Sequence, residues 1–205
     1  MPPMKASPPL LLALVFLVAP LAHGDPISDL AARAAQGDAA AQMELAERYF
    51  KGDGVRTDME EALNWYSKAA ELGNSDAQMK LGGIYIAGKV VRKNSAEAAK
   101  WFMLAADGGN AAAQCQMGRM HMAGAGVAKD DVEAYKWASL AAAQNDKTAK
   151  TVLAVLVKRM KPDEIALGQN QSRDYQELKK AEKTLGLPPE DPPVTVEPLP
   201  LIAPE

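Results

Sequence analysis

The chain has 205 residues, 23 Lys and Arg against 26 Asp and Glu, a formal net charge of -3 and one Cys. That length allows one domain with a core of its own. The charge lacks the basic footprint of a nucleic-acid binder, and a lone Cys excludes a disulfide framework, so stability must come from packing.

Residues 1–24 hold one early cation, Lys5, an apolar stretch from Leu10 to Ala19, and Ala22-His23-Gly24 ahead of Asp25. Small residues at Ala22 and Gly24 predict a secretory signal peptide cut after Gly24. The apolar stretch is well short of the roughly 20 residues that cross a bilayer. No Cys follows it to take a lipid, and no later segment is apolar enough to span. The expectation is an exported chain, periplasmic if bacterial or secreted, with no stable membrane span after cleavage.

From residue 25 the chain repeats itself. Shifted by 36 positions, Gly37, Gly73 and Gly109 align, as do Gln42, Gln78 and Gln114. So do Gly52, Gly88 and Gly124, Val55, Val91 and Val127, and Trp65, Trp101 and Trp137. The organisation is a half-repeat helix at 25–36, repeats at 37–72, 73–108 and 109–144, capping helices at 145–186, and a tail at 187–205.

Each repeat holds two helical patterns. In the first, Ala41, Leu45, Ala46 and Tyr49 lie on one face at helical spacing. Asp38, Asn74, Asn110 and Asp146 stand just ahead, where a side-chain oxygen can take the first free N–H groups. The second pattern places Ala62, Trp65, Ala69 and Ala70 on one face. It opens with Asp58-x-x-Glu61, Asn94-x-x-Glu97 or Asp130-x-x-Glu133, variants of the capping box. All three Trp residues are expected to be buried between helices.

Gly52-Asp53-Gly54-Val55 falls where the chain reverses after the first helix, so its glycines read as helix terminators. A phosphate loop would need an extended cradle ahead of a helix, with Lys and Ser or Thr. The middle copy carries Val90 where the others carry Gly54 and Gly126, which a turn tolerates better than a ligand loop.

In 145–186, Ala149, Leu153, Ala154 and Val157 hold the register of a fourth first helix. No glycine loop or Trp follows. The stretch from Lys161 to Gly186 reads as one long polar helix with Pro162 at its start and Gly186 at its end. A solenoid needs such a cap, polar on its outer face.

The tail, Leu187–Glu205, holds half of the chain's 14 prolines and four acidic residues with no cation. It reads as extended and polyproline-like. Residues 37–72 carry four cations and eight anions, whereas 145–186 carry nine and six. The acidic tail either lies against the basic cap, or in the groove as an internal competitor, or serves as a solvated spacer.

Ala41, Gln42, Leu45, Tyr49, Gly52, Gly54, Val55, Asp58, Ala62, Trp65, Ala69 and Ala70 together resemble the Sel-one-like repeat, a relative of the tetratricopeptide repeat. The resemblance covers just over half the chain, from about Gly37 to Gln144. It implies an all-α fold, a right-handed α-solenoid of antiparallel helix pairs with each first helix lining a concave side. Such proteins act as adaptors and scaffolds, which implies a protein or peptide partner.

Cleavage after Gly24 would remove His23 and leave one His and one Cys. Cys115 and His121 are six apart, on different sides of one helix, and make no dyad. His121 replaces a core Tyr and reads as a half-buried packing residue. S-x-x-K, G-x-S-x-G and H-E-x-x-H are absent, so no catalytic, cofactor or metal residue is assigned. Exported relatives with cysteine-stapled helix pairs have been linked to β-lactams; this chain lacks the paired cysteines. A hydrolase or wall-active enzyme, and a structural piece of an envelope assembly, stand as alternatives.

The candidate partner-binding residues are the non-core positions of the first helices: Met43, Glu47 and Phe50, then Met79, Gly83 and Ile86, then Cys115, Arg119 and Met122. Six of these nine are apolar or sulfur-bearing, and Met-rich surfaces adapt to varied partners. Either they line an open groove, or a tightly wound superhelix buries them between repeats.

Overall fold

The computed structural model describes residues 26–186. The expected signal peptide, 1–24, and the tail, 187–205, lie outside the described residues. Those residues form α1 (Pro26–Ala35), α2 (Ala39–Lys51), α3 (Met59–Glu71), α4 (Ser75–Ala87), α5 (Ser95–Asp107), α6 (Ala111–Ala123), α7 (Asp131–Ala143), α8 (Lys147–Val157) and α9 (Pro162–Leu185). Among them there is no strand. The pairs α2/α3, α4/α5 and α6/α7 are the repeats, and each second helix packs on the next first helix, giving an α-solenoid.

Local hydrogen bonding sets the helix ends. Asp38 accepts from the Ala40 and Ala41 N–H groups, while Asn74 accepts from the Ala77 N–H and Asn110 from the Ala113 N–H, both at 3.0 Å. Gly52, Gly88 and Gly124 close the first helices at φ 76, 64 and 69, a left-handed conformation that costs a residue without Cβ least. The glycine loop is therefore a turn. At Gly126 a Cβ would also lie 2.1 Å from the Ser95 carbonyl oxygen, a contact that leaves no room for a side chain.

The second-helix caps differ from the expected box in one half. Asp58, Asn94 and Asp130 accept from the N–H groups two and three residues on, as expected. Their own N–H groups, which Glu61, Glu97 and Glu133 were to satisfy, donate instead to the carbonyls of Tyr49, Tyr85 and His121 at 3.0–3.1 Å. Each loop is thus clasped to the last turn of its first helix, and Glu97 and Glu133 pair with Lys100 and Lys136.

Between repeats, the aligned glutamines act as staples. Gln42, Gln78 and Gln114 are buried and donate Nε2–H to the carbonyls of Ala34, Ala70 and Ala106 at 2.9–3.1 Å. Each carbonyl belongs to the last turn of the preceding helix, where it also accepts from the N–H of Gly37, Gly73 or Gly109, so the glutamine fills its second acceptor site. The invariant register of Gln thus reports a bond across the repeat boundary.

One core runs from Ala46 to Leu140 and takes in Tyr66, Leu81, Trp101, Phe102 and Trp137. Within a pair, side chains are complementary in size. A Cβ on Gly82 would lie 2.5 Å from the Phe102 ring, and one on Gly118 would lie 3.1 Å from the Ala134 carbonyl oxygen.

Three expectations fail at the ends of this core. Trp101 and Trp137 are buried, but Trp65 is only half-buried. α8 does not keep the register of Leu153, Ala154 and Val157: it turns Ala149, Val152 and Leu156 inward, leaving Leu153 half-buried and Ala154 and Val157 exposed. No second helix follows to cover that face, because α9 lies along α7 rather than on α8. α9 itself starts at Pro162 and is closed by Gly186 at φ 65, as read from the sequence, yet its outer face is not wholly polar. Leu167, Leu178 and Leu185 are 50%, 51% and 70% exposed.

Candidate functional site

The first helices place the nine candidate positions in three rows, and packing treats the rows differently. In the first row, Met43 and Met79 are half-buried against the main core, and Cys115 is buried against Ala141 and Ala149. Burial, with Asp146 beside it, pushes the Cys115 thiol up to about 11, so it is a protonated packing group. In the third row, Ile86 packs on the main core and Met122 on the α7/α8 cluster. Phe50, 36% exposed, stands edge-on to Tyr66 with ring centroids 6.3 Å apart. The first row follows the buried reading, whereas the third is half-buried with Phe50 exposed.

The middle row is open. Gly83 and Arg119 are exposed, and Arg119 donates to Gln116 at 3.3 Å. A Cβ on Gly83 would meet no atom within 4 Å. Glu47 is the fixed charge of this row. It pairs with Lys51 on its own helix at 2.5 Å and with Lys80 of the next repeat at 2.6 Å. Burial acts to raise the carboxyl, but hydrogen bonding from the Lys51 and Lys80 ammonium groups outweighs it and holds Glu47 at about 2.

Sequence reasoning missed two features of the site. Lys80, three residues from Gly83, had no signal in the repeat because its copies are Glu44 and Gln116. Tyr175, on α9, meets Trp137 edge-on at 5.3 Å, and its hydroxyl donates to Asp107 at 2.7 Å. Burial, with Asp107 as acceptor, raises the Tyr175 hydroxyl far above its ordinary range. α9 thus closes over repeat 3 and the end of α5. His121 is half-buried, with Nδ1 at 3.2 Å from the Ala128 carbonyl oxygen.

Among the described residues, no group of three or more His, Cys, Asp or Glu side chains could hold a metal ion. No helix among them is long and apolar enough to cross a membrane.

The Sel1 repeat model matches residues 39–74, 75–110 and 111–146, more than half of the chain. The chain belongs to the Sel1 repeat family. It is similar to a crystal structure of a Sel1 repeat protein from Oxalobacter formigenes, at 42% identity and a TM-score of 0.61, over 62% of this chain and 96% of that one. It is also similar to c5321, described as a protective antigen of uropathogenic Escherichia coli strains with an SLR fold. There the identity is 25% and the TM-score 0.51, over 83% of this chain and 45% of that one. The chain thus spans under half of that antigen. No curated protein matches. Sel1 repeat proteins are generally helical scaffolds for protein interaction, and the family is typically non-catalytic.

Proposed function

We propose that this Sel1 repeat chain is an exported adaptor, working in a bacterial periplasm, that holds a segment of a partner protein on its concave face. The observation that carries the reading is the open middle row. Gly83 sits inside α4, where glycine costs roughly 1 kcal/mol relative to Ala, and no neighbour in the fold needs its bareness. On either side stand Arg119 and the Glu47–Lys80 pair, with Phe50, Ile86 and Met122 adding half-exposed apolar surface. A side chain of a bound segment can approach the bare backbone while the charges set its direction.

The test is crosslinked capture from envelope extract with the full chain and with a Gly83→Arg, Arg119→Glu variant whose circular dichroism and melting are unchanged. Loss of one prey in the variant is the expected result. Prey kept by both chains would refute concave binding. A second reading has its own observation: Leu167, Leu178 and Leu185 form an apolar stripe outside the groove, which suits a structural piece of an envelope assembly docking through α9. Retained prey that is lost on Leu178→Lys would support that version.

A further inference from the structure

The three repeats are equal in length and unequal in charge. Residues 37–72 carry four cations and eight anions, 73–108 five and three, and 109–144 three and three. The excess of the middle repeat sits in one turn. Lys89, Arg92 and Lys93 fall between α4 and α5, all exposed and none in an ion pair among the described residues. The aligned positions hold Asp53, Arg56 and Thr57 in the first repeat and Ala125, Ala128 and Lys129 in the third.

This turn is held in place. Val91 is buried, Val90 packs on the main core, and the Asn94 N–H donates to the Tyr85 carbonyl at 3.1 Å. Val90 stands where Gly54 and Gly126 take φ 74 and 77, and it is not left-handed, so the backbone here follows its own course.

The fold supplies no carboxylate to these cations. Within the repeat, Asp76 accepts from the Asn110 amide at 3.5 Å, Glu97 pairs with Lys100, and Asp107 accepts from Tyr175. On the flanking turns, Asp58 and Asp130 are N-caps, while Asp131 and Glu133 pair with Arg159 and Lys136. Asp53, Glu60 and Glu61 belong to repeat 1 and make no ion pair with the three among the described residues. The groove beside the turn is in the same state. Glu44 and Glu47 are taken by Arg48, Lys51 and Lys80, and Arg119, the copy of Gly83, is in no ion pair among the described residues. Three fixed cations within five residues, without a counter-charge, raise a local positive potential that draws anions.

We propose that the partner segment held on the middle repeat is acidic. Its carboxylates lie against Lys89, Arg92 and Lys93 at the rim and against Arg119 in the groove, with a small side chain over Gly83. This rests on the adaptor reading and names the chemistry of the segment it takes. Lys89 follows the last residue of α4 by two, so the rim continues from Gly83 and Ile86 on the same helix. A bilayer surface suits the turn less well. It asks for exposed large apolar side chains beside the cations, and both valines of the turn are held by the core.

Random peptides displayed on phage and selected on the full chain test the proposal. The expected pool is enriched in Asp and Glu, and a synthetic peptide from it binds with an affinity that falls as salt rises. Lys89→Glu, Arg92→Glu, Lys93→Glu, all at exposed sites, should weaken that peptide about tenfold or more with melting unchanged. The corresponding triple change to Gln should weaken it less. A pool without acidic excess, or an acidic peptide that binds the reversed variant as well as the parent, would overturn the proposal and leave the adaptor reading standing. An acidic peptide lost on the reversed variant but kept by Gly83→Arg would uphold the acidic site at the rim and sink concave binding. No enriched peptide would overturn the proposal, and binding of phosphatidylglycerol vesicles in its place would assign the cations to a membrane surface.

Discussion

Trp65 and Trp137 hold the same register two repeats apart, yet they live in different surroundings. Trp65 is half-buried, with the Lys68 ammonium 4.0 Å from its ring centre. Trp137 is 2% exposed, with the Tyr175 ring against it and Lys136 at 4.8 Å. The helix pairs around them are alike; the difference is α9, which lies along α7 and does not cover α3. The ends also tie to the middle repeat by different physics. Repeat 1 reaches it through the Glu47–Lys80 ion pair, repeat 3 through an aromatic strap whose Tyr175 bonds Asp107. A repeated sequence therefore does not make energetically equal repeats, because each unit draws part of its burial from its neighbour.

The largest test is the tryptophan pair itself. Trp137→Ala should cost about 3–5 kcal/mol, as large buried aromatics do, and Trp101→Ala, also buried, should behave alike. Trp65→Ala should cost clearly less in the same urea titrations. Equal losses at Trp65 and Trp137 would show that α9 is not what distinguishes the two ends.

The electrostatic tie at the first end is sensitive to acid. Glu47 is held near 2 against an ordinary 4.5. Its stabilisation is therefore complete above the unfolded value and disappears as pH falls from about 5 toward 2. Glu47→Gln should lose about 2–3 kcal/mol at pH 7, with the gap to the parent closing by about pH 2. A gap that persists undiminished in acid would mean that the loss comes from packing instead.

Tyr175→Phe keeps the ring on Trp137 and removes only the bond to Asp107. A loss of about 1–2 kcal/mol is expected, with faster amide exchange confined to α9 and α7. Exchange that quickens equally in α2 and α3 would erase the contrast between the ends.

The middle repeat supplies the smallest effect and an internal control. Gly83→Ala should stabilise by about 0.5–1 kcal/mol, because its Cβ meets open space inside a helix. Gly82→Ala, one residue away, should destabilise instead, since its Cβ would press on the buried Phe102 ring. Melting temperatures that shift the same way would contradict the placement of α4 against α5.

The sequence by itself determined the period of 36, the helix pairs, the Asx caps, the glycine turns and the closing helix from Pro162 to Gly186. These features are legible because they rest on bonds within a few residues: a cap reaches two or three positions, and a left-handed residue ends its own helix. Only the tertiary structure decided where the capping N–H groups donate, why Gln42 and its copies recur, and which rows of the first helices are open. It also decided the rotation of α8, the exposure of Trp65 and the clamp on Glu47. Each of those depends on a partner supplied from elsewhere in the chain, such as Lys80 for Glu47 or Tyr175 for Trp137. Periodicity reports which face of a helix is apolar, and only assembly says what covers it.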